Sequence, residues 1–186
     1  AEPTRKIWLP RIASGERIFA LALTEAQYGW SADSIRLRAG IEGKDFRLTG
    51  VKLFVHDAVH ASDLLVAARI EDGAGISLFR IDATAPGVAI RALDGFLTGM
   101  SEVTFDNAQV SGDDLIGAAG SAWDALERST LAALPVLCAY KVGGCKPVFE
   151  MSTPHARERT QFGQVIGRFQ RVQDHVIHIV NYLDAA

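Results

Sequence analysis

The spacing of the apolar residues changes once along the chain, and that change constrains the fold more than any other feature. From Arg17 to about Val110 hydrophobic residues gather in short β-type runs, at 17–23, 35–39, 45–55, 64–70, 76–81, 88–91 and 100–110. Glu42-Gly43-Lys44, Asp72-Gly73-Ala74-Gly75 and Ala85-Pro86-Gly87 supply turn signals between them. Short runs separated by such turns describe an all-β sandwich or small barrel. After Gly120, Trp123, Leu126, Leu131, Leu134, Leu137, Val142, Cys145 and Phe149 recur at helical spacing. Pro135 and Pro147 inside that stripe are expected to kink or break it. Phe169, Val172, Val176, Ile179, Val180 and Leu183 form the apolar face of a second helix, with Arg168, Arg171, Asp174, His175 and Asp184 elsewhere around it.

Two such helices carry more apolar face than one sheet covers. The chain begins without Met and stops at Asp184-Ala185-Ala186 in mid-pattern, so a piece of a longer polypeptide is expected, or helices that finish their core in another chain. At 186 residues the chain fits one domain or one and a half.

Charge narrows the function classes. Lys and Arg number 19 against 22 Asp and Glu, a net −3, which argues against a dedicated nucleic-acid or membrane-surface binder. The nearest approach to a basic cluster is Arg157, Arg159, Arg168 and Arg171. No apolar run reaches the roughly 18 residues of a bilayer span. Cys138 and Cys145 lie seven apart in one helix, roughly 10 Å by helical rise, too far for a disulfide. Unpaired thiols suit a reducing compartment, so a cytoplasmic location is expected. His56 with His60, and His175 with His178 beside Asp174, lack the third ligand of a catalytic metal, and no metal site is expected.

Three segments carry more than packing. In Leu23-Thr24-Glu25-Ala26-Gln27-Tyr28-Gly29-Trp30-Ser31 a β run ends in a polar loop able to turn backbone N–H groups toward an anion or a polar ring edge. An ordinary turn explains it equally well. In Gly50–Ala58, period two puts Phe54 and His56 on one face, where an aromatic and a hydrogen-bonding group could flank a planar cofactor. A half-buried Phe beside a surface His is the plainer account. In Arg157-Glu158-Arg159-Thr160-Gln161-Phe162-Gly163, with Gln170 beyond, arginine can grip phosphate oxygens. The alternative is a helix C-terminus with Gly163 as its cap.

The order of these strings resembles a known family. Trp8-Leu9-Pro10 with Ser14-Gly15-Glu16, Ala22-Leu23-Thr24-Glu25, Gly50-x-Lys52-x-Phe54, Ala61-Ser62-Asp63-Leu64-Leu65-Val66-Ala67-Ala68-Arg69, Val103-x-Phe105-Asp106-Asn107-x-x-Val110 and Arg157-Glu158-Arg159-Thr160-Gln161-Phe162-Gly163-x-x-Ile166-Gly167-x-Phe169-Gln170 follow one another as in the acyl-CoA dehydrogenases. The resemblance covers essentially the whole chain. It implies an α+β fragment: 1–16 the end of an absent N-terminal helical domain, 17–118 an all-β sandwich or barrel middle domain, and 119–186 the amphipathic helices of an incomplete four-helix bundle.

The resemblance further implies FAD as cofactor and an acyl-CoA thioester as substrate, in fatty acid metabolism or β-oxidation. Leu23 and Thr24 would lie against the flavin, with backbone donors facing it. Gly29 and Ser31 would belong to the same loop, and Phe54 would pack on the ring. His56 stands where the family usually has Thr or Ser. Arg159, Gln161, Phe162 and Gln170 match residues reaching the FAD of a neighbouring subunit, which implies a homo- or hetero-oligomer, a dimer or tetramer, sharing its FAD sites. An electron-transfer flavoprotein is a candidate acceptor.

Departures from the family are as informative. Its usual Pro-x-x-Gly-Ser-Asp after Thr-Glu is here Ala26-Gln27-Tyr28-Gly29-Trp30-Ser31, so an indole replaces a phosphate-binding hydroxyl unless a bulge brings Ser31 into register. The catalytic Glu is expected beyond Ala186. The helix that carries the base in a minority of members reads Leu131-Ala132-Ala133-Leu134-Pro135, without a carboxylate. No catalytic residue is therefore assigned, and the 186 residues alone are expected to be inactive. A non-catalytic, flavin-poor subunit of a hetero-oligomer is the alternative reading, and a flavin oxidase or monooxygenase a third.

Overall fold

The computed structural model describes all residues except 1, 28, 72, 74 and 96–98, so Tyr28 of the first polar loop and Asp72 and Ala74 of the second turn signal lie outside the described residues. The chain divides into two units, Ala1–Glu127 and Arg128–Ala186.

The first unit opens with α1 (Glu2–Ala13) and continues with β1 (Phe19–Ala22), β2 (Arg38–Glu42), β3 (Asp45–His56), β4 (Asp63–Ile70), β5 (Ser77–Asp82), β6 (Val88–Ala92), β7 (Met100–Val110) and β8 (Leu115–Ile116). The strands join in the order β6-β7-β3-β2-β4-β5-β8, with β1 added parallel to β4. β2 and β4 meet only at Arg38↔Arg69 and Ala39↔Ile70. Inward residues Leu48, Val55, Leu64, Val66, Phe79, Val103 and Phe105 form the core. A smaller cluster gathers Ile35, Ala67, Ile76, Ala122 and Leu126. Alternation of buried and exposed side chains is the signal that made the strands legible. At Ala85-Pro86-Gly87, Val88 N–H bonds Ala85 O at 3.0 Å and Gly87 takes φ +83°, the conformation a Pro-Gly turn requires.

The run expected at 35–39 forms its strand three residues later. Glu25 is the cause, because its carboxylate accepts the N–H groups of Arg36 and Leu37 and removes them from any ladder. A knot of five charges, Arg17, Asp63, Arg80, Asp82 and Asp114, ties the segment after α1 to the sheet. Asp63, fully buried, accepts from Arg17 Nε at 2.7 Å, Arg17 Nη2 at 2.9 Å and Arg80 Nη1 at 2.6 Å. Arg80 also donates to Asp114, and its guanidinium lies 4.6 Å from the centre of the Trp8 ring on α1.

α2 (Ala122–Glu158) starts in the first unit, where Ala122 and Leu126 are buried, and runs into the second. It passes through Pro135, Pro147 and Pro154 as one element, so the expected break does not occur. Each proline removes one amide donor, a small share of the bonds open to a helix of 37 residues. Cys138 and Cys145 are free and exposed. β9 (Thr160–Gln161) and β10 (Gln164–Val165) then form a hairpin, followed by α3 (Gln170–Ala185). Gly163 sits in the hairpin turn with φ +78°; it does not cap the helix, which ends at Glu158. Among the described residues no helix is long and apolar enough to cross a membrane.

Candidate functional site

β1 runs straight into the first polar segment. Leu53 N–H donates to Thr24 O at 2.9 Å, and Lys52 Nζ donates to Leu23 O at 3.1 Å. Leu23 and Thr24 are thereby fixed beside the stretch of β3 that carries Phe54. Their carbonyl oxygens are used internally, while the N–H of Thr24 meets no acceptor among the described residues. Half-buried donors of this kind suit a ligand edge that gains negative charge.

Beneath this segment lies an ion pair that the sequence did not announce. Lys52 Nζ is 2.7 Å from Glu25 Oε1, with the lysine side chain 0% and the glutamate 8% exposed. Burial pushes the Lys52 pKa below its ordinary value, and the hydrogen bond and charge of Glu25 pull against it. The signal was present as a lone Lys at an inward position of a β run, where a cation needs a partner.

Strict alternation would put Phe54 and His56 on the buried side with Leu48 and Lys52. The structure corrects this. The β3–β7 register shifts between Lys52 and Val55, and Phe54 takes φ +55°. This bulge resets the parity, so Val55 turns inward and Phe54 and His56 both face outward. The two share a face as expected, by a different geometry.

Gly29 and Ser31 are held by Ser34, whose Oγ is 2.8 Å from Gly29 O and 2.7 Å from Ser31 O and shares its proton between them. Arg69 pins the next turn through Ala32 O and Ile35 O. Trp30 between the gripped carbonyls is 72% exposed. A Cβ on Gly29 would collide with Cβ of Ser34, so Gly29 is needed for an internal contact. Gly29→Ala is expected to cost about 1–3 kcal/mol, as overpacking does. A urea midpoint equal to that of the parent chain would show that the loop yields freely.

In the second unit, Arg159, Gln161, Phe162 and Gln170 gather around the β9–β10 hairpin. Arg159 N–H bonds His155 O at the end of α2, and Arg159 O accepts from Ile166 N–H. Phe162 stands at the tip with φ +52° and 91% exposure, in a two-residue Phe-Gly turn of the kind hairpins favour. Its ring lies 6.1 Å from that of Phe169, the residue preceding Gln170 on α3. All four candidates are exposed. Among the described residues no three His, Cys, Asp or Glu are placed to hold a metal ion.

The donor set fits a flavin. An outward aromatic at Phe54 and an imidazole at His56 share a face of β3, and Thr24, whose N–H is unused, is bonded through its carbonyl to the neighbouring Leu53. The indole of Trp30 points to solvent and does not fill the loop.

The family model described as acyl-CoA dehydrogenase, middle domain, matches residues 20–108. The short/branched chain specific acyl-CoA dehydrogenase of Rattus norvegicus is 26% identical over 192 residues, spanning 100% of this chain and 44% of that protein. The structure of an acyl-CoA dehydrogenase from Geobacillus kaustophilus aligns with TM-score 0.89 and 25% identity, over 100% of this chain and 51% of that one. A glutaryl-CoA dehydrogenase from Mycobacterium smegmatis, solved in complex with FADH2, shares the fold at TM-score 0.77 and 23% identity, over 98% of this chain and 48% of that one. The chain thus spans about half the length of the relatives it matches. With an eight-stranded unit that carries the family's middle-domain pattern from β1 to β7, and relatives that align across its whole length, this chain belongs to the acyl-CoA dehydrogenase family.

Proposed function

We propose that this chain is the flavin-facing part of an FAD-dependent acyl-CoA dehydrogenase that oxidises the α,β-bond of an acyl-CoA thioester. The observation that carries the reading is the lock between Thr24 O and Leu53 N–H, which sets an unused Thr24 N–H beside outward-facing Phe54. FAD, when bound, supplies the hydride acceptor. The chain's own part is to hold its ring against Phe54, to offer Thr24 N–H where negative charge develops, and to place His56 at the ring edge. Gly29 and Ser31 shape the adjoining loop. Arg159, Gln161, Phe162 and Gln170 reach toward the FAD of a second subunit, which makes an oligomer part of the site. The domains run 1–16, 17–118 and 119–186, the base lies outside these residues, and an electron-transfer flavoprotein is the acceptor in a cytoplasmic setting.

One observation favours a second reading, a flavin-poor subunit: Trp30 stands, 72% exposed, where the family has a phosphate-binding hydroxyl. The absorption spectrum of the protein from its complete gene separates the two. A flavin band that bleaches anaerobically with one class of acyl-CoA is expected. If no flavin is retained at excess FAD, the dehydrogenase reading fails and the second stands.

A further inference from the structure

Every arginine between β1 and β7 except two has a carboxylate partner among the described residues: Arg47 with Glu42, Arg69 with Asp33, Arg80 with Asp63 and Arg91 with Glu102. The side chains of Arg36 and Arg38 have none. Both are exposed, and they flank one groove of about 260 Å³, which Gln27, Thr49 and Val51 also line. They stand two residues apart on one extended segment, where Ile35, Leu37 and Ala39 turn inward, so they project on the same side about 7 Å apart at the Cα. Thr49, paired in register with Arg38, adds a hydroxyl on that side.

The groove has only one acid in its lining, Glu25, and Lys52 together with the N–H groups of Arg36 and Leu37 already neutralises it. Two uncompensated positive charges remain above a satisfied floor. Two guanidinium forks and a hydroxyl lining one small concavity match the three outer oxygens of a phosphate monoester better than any neutral ligand.

We propose that this groove binds a terminal phosphate monoester through Arg36 and Arg38, with Thr49 as a third donor. The carrier is either a free nucleotide or the 3′-phosphate of coenzyme A, and the shared chemistry is the dianionic monoester. None of Leu23, Thr24, Gly29, Ser31, Phe54 and His56 lines this groove, and the test is independent of whether flavin is bound.

The test is calorimetric titration of the full-length protein with coenzyme A, dephospho-coenzyme A and adenosine 3′,5′-bisphosphate. The two ligands with a monoester are expected to bind at least about tenfold more tightly than dephospho-coenzyme A, and raised salt is expected to narrow the difference. Arg36→Gln/Arg38→Gln is expected to abolish that preference with an unchanged melting midpoint, because neither side chain has a partner to lose. Adenosine bisphosphate binding as tightly as coenzyme A assigns the site to free nucleotides, and weaker binding assigns it to coenzyme A. Equal binding of the phospho and dephospho forms, a preference that survives in the double variant, or no binding of either monoester overturns the proposal.

Discussion

Lys52→Met is expected to destabilise the first unit by about 3 kcal/mol and to loosen the segment 23–25 with it. The methionine fills the volume but leaves Glu25 buried with only the Arg36 and Leu37 N–H groups as partners, and removing one member of a buried pair typically costs about 3–5 kcal/mol. Leu23 O also loses a donor. Adding Glu25→Gln to Lys52→Met should recover a good part of the loss, since the amide oxygen still accepts the two N–H groups while no buried charge remains. Urea unfolding of the parent, single and double variants measures this. A single variant within about 0.5 kcal/mol of the parent, the range of ordinary surface changes, would mean that the pair is incidental. The lowered Lys52 pKa adds a pH signature. From its folded pKa up to the ordinary 10.5 the unfolded chain holds the extra proton, so stability from this group rises with pH across that window, and the variants without Lys52 lack the rise.

The second large effect is expected at Asp63. Asp63→Ala removes four hydrogen bonds, two from Arg17, one from Arg80 and one from Ser62 Oγ at 3.1 Å, at a site with no solvent access. Arg17 retains only Asp82 at 3.5 Å, and Arg80 retains Asp114. The hydrogen bond to Asp63 is the main cause of the raised Arg17 pKa, with burial working against it. A loss of about 3–5 kcal/mol follows from stranding two part-buried cations, and Asp63→Asn, which keeps the shape, should fall between. The same change frees Arg80 from its place over Trp8, so protease cleavage within α1 should precede global unfolding. Equal protection of α1 in variant and parent would show that the aromatic contacts alone hold it.

Much of this architecture was legible in the sequence, because half-buried strands write their alternation into it. What escaped did so for local reasons. The second strand began late because a side chain, Glu25, took two backbone donors that hydrophobic pattern cannot see. Phe54 and His56 were placed together rightly, but period two alone would have buried them; the bulge has no compositional mark, since Phe54 adopts a backbone usually left to glycine. Lys52 was visible only as a letter in a motif, and its role needed the partner 27 positions earlier. Arg36 and Arg38 fall inside the β-type run at 35–39, and only the distribution of ion pairs distinguishes them. The hairpin around Phe162 has strands too short to leave a periodic trace.

The bulge in β3 divides the strand into two parts that tolerate substitution differently. Upstream of it the strand's inward letters answer to packing; downstream, Phe54 and His56 are insulated from the interior by Val55, which alone faces the core there. A substitution at His56 can therefore change the chemistry at that position without asking the core to repack. The kink separates the part of the strand that packs into the core from the part that faces outward, so the outer face can be altered while the packing beneath it stays as it is.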